Sequence, residues 1–254
     1  MAEDLGELLG RLDGISLSAL DERAALLRRV DNKYALEWEV FAALIEHLRD
    51  GHCVLEIDGR RAFSYATTYF DTPELRCLVE HLEDRLPRFK ARSRLYEDSD
   101  KCVFEVKLKR SEDVTDKRQI DYDPAVRRQV TPDAVECVRS ALADADLTAP
   151  ESLEPTLTSS FERITLAARE GSERMTCDLG VTLLGPHGQA EMPHGLVLVE
   201  TKSETGESPA DRELARMSVQ PISLSKYRVG MSLVGAGRRF GSQPGGDLFQ
   251  LTGG

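Results

Sequence analysis

Phe104-Glu105-Val106-Lys107-Leu108-Lys109 alternates apolar and charged side chains at every step. That period of two is the mark of a strand with one face turned to a core. The pattern recurs outward from it. Lys90-Ala91-Arg92-Ser93-Arg94 sets Arg92 and Arg94 on one face, and Lys117, Gln119 and Asp121 oppose Ile120 and Tyr122. Toward the N-terminus, Arg29, Asp31 and Lys33 share a parity. Toward the C-terminus so do Glu200 and Lys202, while Arg163 comes from Phe161-Glu162-Arg163-Ile164 and Asp178 from Met175-Thr176-Cys177-Asp178. Strands are read near 28–34, 64–70, 90–96, 102–109, 117–122, 157–166, 174–182 and 196–203.

Four helices punctuate them. Residues 38–49 carry Trp38, Phe41, Ile45 and Leu48 on one stripe. Residues 73–84 carry Leu75, Leu78, Val79 and Leu82, with Thr72 as cap and Pro73 in the first turn. Thr131-Pro132 opens a helix with Val135, Val138 and Leu142, and Ser208-Pro209 opens one in which Asp211 closes a capping box. Residues 1–27 form a leader with a short amphipathic helix through Leu5, Leu8, Leu9 and Leu12. Residues 235–254, with seven glycines, are expected to form a mobile tail.

The chain has 254 residues, of which 41% are hydrophobic and 30% charged, enough apolar content for a substantial core. Its net charge of −11 argues against a nucleic-acid partner or a broad membrane-binding surface, but not against a polyanion site where bases are gathered. Five scattered cysteines without a CxxC point to reduced thiols and a cytoplasmic location. The acidic start is followed by no secretory signal. No run approaches the roughly 18 apolar residues of a spanning helix.

The charged strand faces hold nine basic residues (29, 33, 92, 94, 107, 109, 117, 163, 202) and five acidic ones (31, 105, 121, 178, 200). This excess opposes the overall balance. One reading is a sheet whose wet face is simply solvated. The other closes eight strands into a barrel with the charges inside and the apolar faces turned outward to the helices. Charges lining a small barrel cannot stay dry and unpaired, so such an interior must hold water, counter-ions or a polyanion.

Six motifs occur in order: Arg29-Val30-Asp31-Asn32-Lys33-Tyr34, Thr68-Tyr69-Phe70-Asp71-Thr72-Pro73, Lys90-Ala91-Arg92-Ser93-Arg94, Phe104-Glu105-Val106-Lys107, Val199-Glu200-Thr201-Lys202 and Ser225-Lys226-Tyr227. Together they resemble the VTC domain, the polyphosphate-polymerase branch of the CYTH-like triphosphate tunnel enzymes, over residues 28–234. The resemblance implies an α+β fold: an eight-stranded antiparallel β-barrel, the triphosphate tunnel, with helices packed outside.

It also implies a basic lining that grips a triphosphate and a divalent metal, Mn²⁺ or Mg²⁺, on acidic residues. Lys33, Arg92, Arg94, Lys107, Arg163 and Lys226 match the phosphate-binding positions; Lys33, Arg92, Arg94, Arg163 and Lys226 are the expected catalytic set. Lys117 or Arg118 supplies another contact. Arg29, Lys109 and Lys202 join the lining by parity. Glu200 matches the principal metal carboxylate, with Glu105, Asp178 and Asp31 as further candidates. Where hydrolase relatives carry Glu-x-Glu-x-Lys, this chain has Arg29-x-Asp31-x-Lys33, which weakens a two-metal hydrolytic site.

The implied activity moves the terminal phosphate of ATP onto phosphate or polyphosphate. Alternatives are hydrolysis of tripolyphosphate or nucleoside triphosphates in the same tunnel, and a non-catalytic polyphosphate-binding module. Other motifs are missing: there is no GxxxxGK[ST] and no HExxH. His47 and His81 read as surface or satisfied histidines, Trp38 and Tyr69-Phe70 as packing, and Asp71-Thr72-Pro73 as a helix start.

Overall fold

The computed structural model describes residues 2–23, 30–111 and 114–252. In chain order it runs α1 (Ala2–Gly10), β1 (Asp13–Ile15), α2 (Leu17–Arg23), β2 (Val30–Glu37), α3 (Trp38–Leu48), β3 (His52–Leu55), β4 (Ala62–Asp71), α4 (Arg76–Leu82) and β5 (Arg88–Tyr96). It continues through β6 (Lys101–Lys109), β7 (Thr115–Tyr122), α5 (Pro132–Ala143), β8 (Glu154–Ala168), β9 (Arg174–Gly185), β10 (Gly188–Glu191), β11 (Leu196–Ser203), α6 (Pro209–Arg216), α7 (Lys226–Leu233) and β12 (Gln250–Thr252). The chain is an α+β protein rich in antiparallel sheet, with seven α-helices among the described residues. It divides into two compact units, and β4, β8 and β9 supply residues to both.

The first unit comprises Met1–Phe63, Glu162–Gly180 and Pro193–Ser223. Here β11 lies antiparallel between β2 and β9, with Lys33 opposite Glu200 and Asp31 opposite Lys202. The intervening residues point the other way, as the pleat requires. Tyr34, Leu36, Val197, Val199, Met175 and Cys177 meet Phe41, Leu44, Ile45 and Leu48 of α3, Leu214 of α6 and Leu8 and Leu9 of α1 in one apolar cluster. The amphipathic start of the chain is thus part of this core. On α6, Ser208 and Asp211 form the expected capping box. A parallel pair, β1 with β3, adds a smaller cluster around Leu20, Cys53 and Leu55.

The second unit comprises Ser64–Phe161, Val181–Met192 and Leu224–Gly254. Strands β4, β5, β6 and β7 form an antiparallel meander. Phe104 packs on Phe70 and Tyr122 at centroid distances of 5.6 and 5.4 Å on its apolar face. Helix α5, capped by Thr131 with Pro132 in its first turn, buries Ala134, Cys137, Val138, Ala141 and Leu142. Val135, expected on that stripe, is instead 40% exposed. The start of α4 is held by Asp71 more than by Thr72: the Asp71 carboxylate accepts from the amides of Thr72, Cys77 and Leu78.

The eight expected strands are all present, and β1, β3, β10 and β12 join them. Each of these four is only three or four residues long, too short for alternation to show, and β3 is buried on both faces. Within neither unit do the pairings of described residues close into a ring. Where the sequence suggests a structureless tail after residue 234, β12 pairs antiparallel with β10. All five cysteines are free and buried.

Candidate functional site

The meander of the second unit carries its charges in rows. Because facing residues of antiparallel strands share a face, register decides each row. Lys90, Lys107 and Lys117 stand directly opposite one another across β5, β6 and β7. The neighbouring rows are Arg92, Glu105 and Gln119 on one side and Arg88, Lys109 and Thr115 on the other. Glu105, 2% exposed, is the anionic centre of this face. Its Oε2 accepts from Arg92 Nε at 2.7 Å, and its Oε1 lies 3.3 Å from Lys117 Nζ. Burial alone would raise the Glu105 pKa, but Arg92, Arg94 and Lys117 outweigh it and hold the carboxyl well below its usual range. Lys117, and not Arg118, shares the Glu105 face. Arg118 projects on the opposite side, where Ser140 and Asp144 accept its hydrogen bonds.

Aromatic rings connect the next cations. Arg94 donates from Nε to Thr67 Oγ1 at 3.4 Å, and its guanidinium sits 5.8 Å from the Tyr65 ring centre. Tyr65 stacks on Phe161 at 5.5 Å, and Lys226 Nζ lies 4.7 Å from the Phe161 centroid. Lys226 begins α7, capped by Ser225. The adjoining Tyr227 donates its hydroxyl hydrogen to Asp71 Oδ2, which fixes the helix start. Burial, reinforced by Asp71, pushes the Tyr227 pKa well up, so it remains a phenol and a donor. His81 on α4 is neither a surface nor a satisfied histidine: its Nδ1 is buried and has no hydrogen-bond partner. Burial first, then Lys90, Arg228, Arg88 and Lys109, pushes its pKa down to about 2.

The charged face of the first unit is built from β2, β8, β9 and β11. Arg163 grips Asp178 with two parallel bonds, Nε to Oδ1 at 2.6 Å and Nη2 to Oδ2 at 2.8 Å. Lys202 Nζ is 2.5 Å from Glu200 Oε1. Desolvation would raise the Glu200 pKa, but Lys202, Lys33 and Arg163 together hold it well below the carboxylate range. Burial lowers the Lys202 pKa, against the pull of Glu200 and Asp31. Arg29 lies outside the described residues.

The expected metal ligands divide. Asp178 has both oxygens on Arg163, and Glu105 is shared between Arg92 and Lys117. In this structure both carboxylates order the cations beside them. Asp31 is exposed, opposite Lys202. Among the described residues no three His, Cys, Asp or Glu side chains gather as a metal cage. Glu200 does fit a hard divalent cation of the kind that takes one or two carboxylates and draws its remaining ligands from substrate phosphates. Its side chain is 26% exposed and held by a lysine, not by an arginine fork.

Sequence parity brought Arg92, Arg94, Lys107, Lys109 and Lys117 to one face in the second unit and Lys33, Arg163, Glu200 and Lys202 to their places in the first. It missed Arg88, which has the parity of Arg92, because the expected strand was entered two residues late, and it left Lys90 out of the charged face although Lys90 opens that strand. His81 and Arg228 lie on helices, and no strand pattern could reveal them.

Three solved structures align with this chain at low sequence identity. A candidate adenylate cyclase from Vibrio parahaemolyticus aligns over 81% of this chain and 98% of its own, with 14% identity and a TM-score of 0.45. A candidate adenylyl cyclase from Hippeastrum, described as having a dominant triphosphatase activity, aligns over 82% and 96%, with 16% identity and a TM-score of 0.48. A conserved hypothetical protein from Pyrococcus furiosus aligns over 78% and 98%, with 14% identity and a TM-score of 0.41. No curated protein matches the chain in sequence. No helix among the described residues is long and apolar enough to cross a membrane. The family model for the VTC domain matches residues 28–234, and on that match the chain belongs to the VTC-domain family.

Proposed function

We propose that this protein is a metal-dependent phosphotransferase of the polyphosphate-polymerase kind, moving the terminal phosphate of ATP onto phosphate or a growing polyphosphate chain. The proposal includes the eight-stranded tunnel that family membership implies. The observation that carries it is the row Lys90, Lys107 and Lys117, three ammonium groups placed directly across strands. With Arg92, Arg94 and Lys109 beside it, this row makes one strand face rich in ammonium and guanidinium donors of the kind that bind phosphate oxygens.

Phosphoryl transfer asks little of a protein beyond position and charge. An oxygen of the acceptor phosphate attacks the γ-phosphorus, and the bond from that phosphorus to the ADP oxygen breaks. Donor and acceptor are both anions, so their mutual repulsion is the obstacle. In the second unit Arg92, Arg94, Lys107, Lys117 and Lys226 supply positive charge against it, and their guanidinium groups orient phosphate oxygens; Lys33 and Arg163 of the first unit are carried over from the family resemblance as further phosphate contacts. Glu105 and Asp178 hold Arg92 and Arg163 in place before substrate arrives. A divalent cation, when bound, would be held by Glu200 and would offset charge on the leaving phosphate.

Purified protein incubated with ATP and Mn²⁺ is expected to yield long phosphate chains on a gel. The double substitution R92A/R94A is expected to lower that yield by about 100-fold or more, the scale of losing charge-stabilising donors. Release of free phosphate without chain growth would replace the polymerase by a triphosphatase. Tight tripolyphosphate binding with no turnover, unchanged by E200A, would leave a binding module.

A further inference from the structure

Thr176 lies in β9 and is 4% exposed, and its Oγ1 is buried without a hydrogen-bond partner. Buried polar atoms are nearly always satisfied, so an orphan inside a well-formed strand calls for an explanation. Other strand threonines show the usual outcome: Thr201 donates from Oγ1 to Asp211 at 2.6 Å, and Thr67 Oγ1 accepts from Arg94. Register identifies what Thr176 faces. It stands directly opposite Glu200 of β11, which in turn stands opposite Lys33 of β2. Facing residues of an antiparallel pair share a face, with their Cβ atoms about 5 Å apart. The orphan hydroxyl therefore belongs to the row that carries the one carboxylate fitted above to a divalent cation. Its neighbours on β9 are committed elsewhere: Asp178 has both oxygens on Arg163, and Arg174 stands opposite Lys202. Lys202 Nζ serves Glu200 Oε1 at 2.5 Å.

We infer that Thr176 Oγ1 is a second protein ligand, beside Glu200, of the divalent cation that this face holds. The inference rests on the phosphate-handling reading above and adds to it a ligand that no pattern of charge reveals. A hydroxyl and a carboxylate on adjacent strands offer two hard oxygens to one side of an ion, and such ions draw their remaining ligands from water and substrate phosphates. The same pairing of a Ser or Thr hydroxyl with a carboxylate holds Mg²⁺ in nucleotide-binding loops of unrelated fold. Thr176 keeps its proton and gives a lone pair, so it adds affinity without adding charge. The two contributions to the site then separate. Thr176 acts on metal affinity, while the lysines and arginines act on phosphate affinity.

The test uses the full chain with two probes, Mn²⁺ and tripolyphosphate. Mn²⁺ binding is read from loss of the free-ion EPR signal, and metal-free tripolyphosphate binding by calorimetry, in the native chain, T176V, T176S and E200Q. T176V keeps the shape of the side chain and removes its oxygen. Mn²⁺ affinity is expected to fall by about tenfold or more in T176V and in E200Q, at least the loss seen for groups that only support a ligand. It should stay close to native in T176S, and metal-free tripolyphosphate affinity should be unchanged in T176V. Metal-free T176V should melt no lower than the native chain, because an unpartnered buried hydroxyl contributes no stability. Unchanged Mn²⁺ affinity in T176V, with tripolyphosphate still bound, would overturn this inference and leave the phosphate-handling reading standing. So would a T176V chain that fails to fold or melts well below the native protein, since its hydroxyl would then serve the fold. A native chain that binds neither probe would overturn both.

Discussion

Glu105 holds the cationic face of the second unit in order. Its two oxygens serve Arg92 and Lys117 while the carboxylate itself is almost wholly buried. Removing one partner of a buried ion pair leaves the other uncompensated, so E105A should cost about 3 kcal/mol of stability by chemical denaturation. The same change removes the anion at the centre of this face, so tripolyphosphate should bind E105A more tightly than the native chain and restore part of the loss. Acid titration gives the sign independently. The Glu105 pKa is depressed from 4.5, so its contribution is present above that value and is lost as pH falls below it. Of these residues, sequence parity revealed Glu105 and Arg92 because each alternates with apolar neighbours. It could not reveal their pairing, which depends on register between strands, and it did not show that His81 is buried without a partner for Nδ1, because a helix stripe says nothing about what faces it.

Elements are joined by two buried aspartates. Asp71 receives three amides at the start of α4 and the Tyr227 hydroxyl of α7. Asp211 receives Tyr34 from β2 at 2.8 Å, Thr201 from β11 at 2.6 Å, and the amide and hydroxyl of Ser208. Thr201 lies between Glu200 and Lys202, and Tyr34 beside Lys33, so the cap of α6 also fixes the strands that present these side chains. S208A should cost about 1 kcal/mol, an ordinary cap loss, whereas D211A should cost about 3 kcal/mol because it also orphans buried donors. Denaturation midpoints of the two variants check the difference. The caps at Ser208 and Thr131 were legible because capping chemistry is local. The role of Asp71 was legible only as a helix start, since Tyr227 is 156 positions away.

At the scale of the whole molecule, a net charge of −11 coexists with strand faces rich in Lys and Arg. Anion binding therefore depends on a local field within an acidic protein. Raising salt screens that field over about 8–10 Å at ordinary ionic strength and over less at higher salt. Tripolyphosphate affinity should fall about tenfold or more between 50 and 500 mM KCl, with a shallower slope in R92A/R94A, as read by calorimetry. The long strands, and hence the charged faces, could be read from alternation. The short strands β1, β3, β10 and β12 could not, because pairing with a neighbour rather than any pattern of their own defines them.

The row of three lysines across β5, β6 and β7 also makes bench chemistry part of the molecule. Any solute anion that settles among them stabilises the folded chain by mass action, by about 2.7 kcal/mol at a hundred times its dissociation constant. A melting temperature taken in phosphate or sulfate buffer would then describe a complex, and one taken in chloride-poor HEPES the bare protein. Comparisons between variants carry meaning only when the counter-ion is held constant.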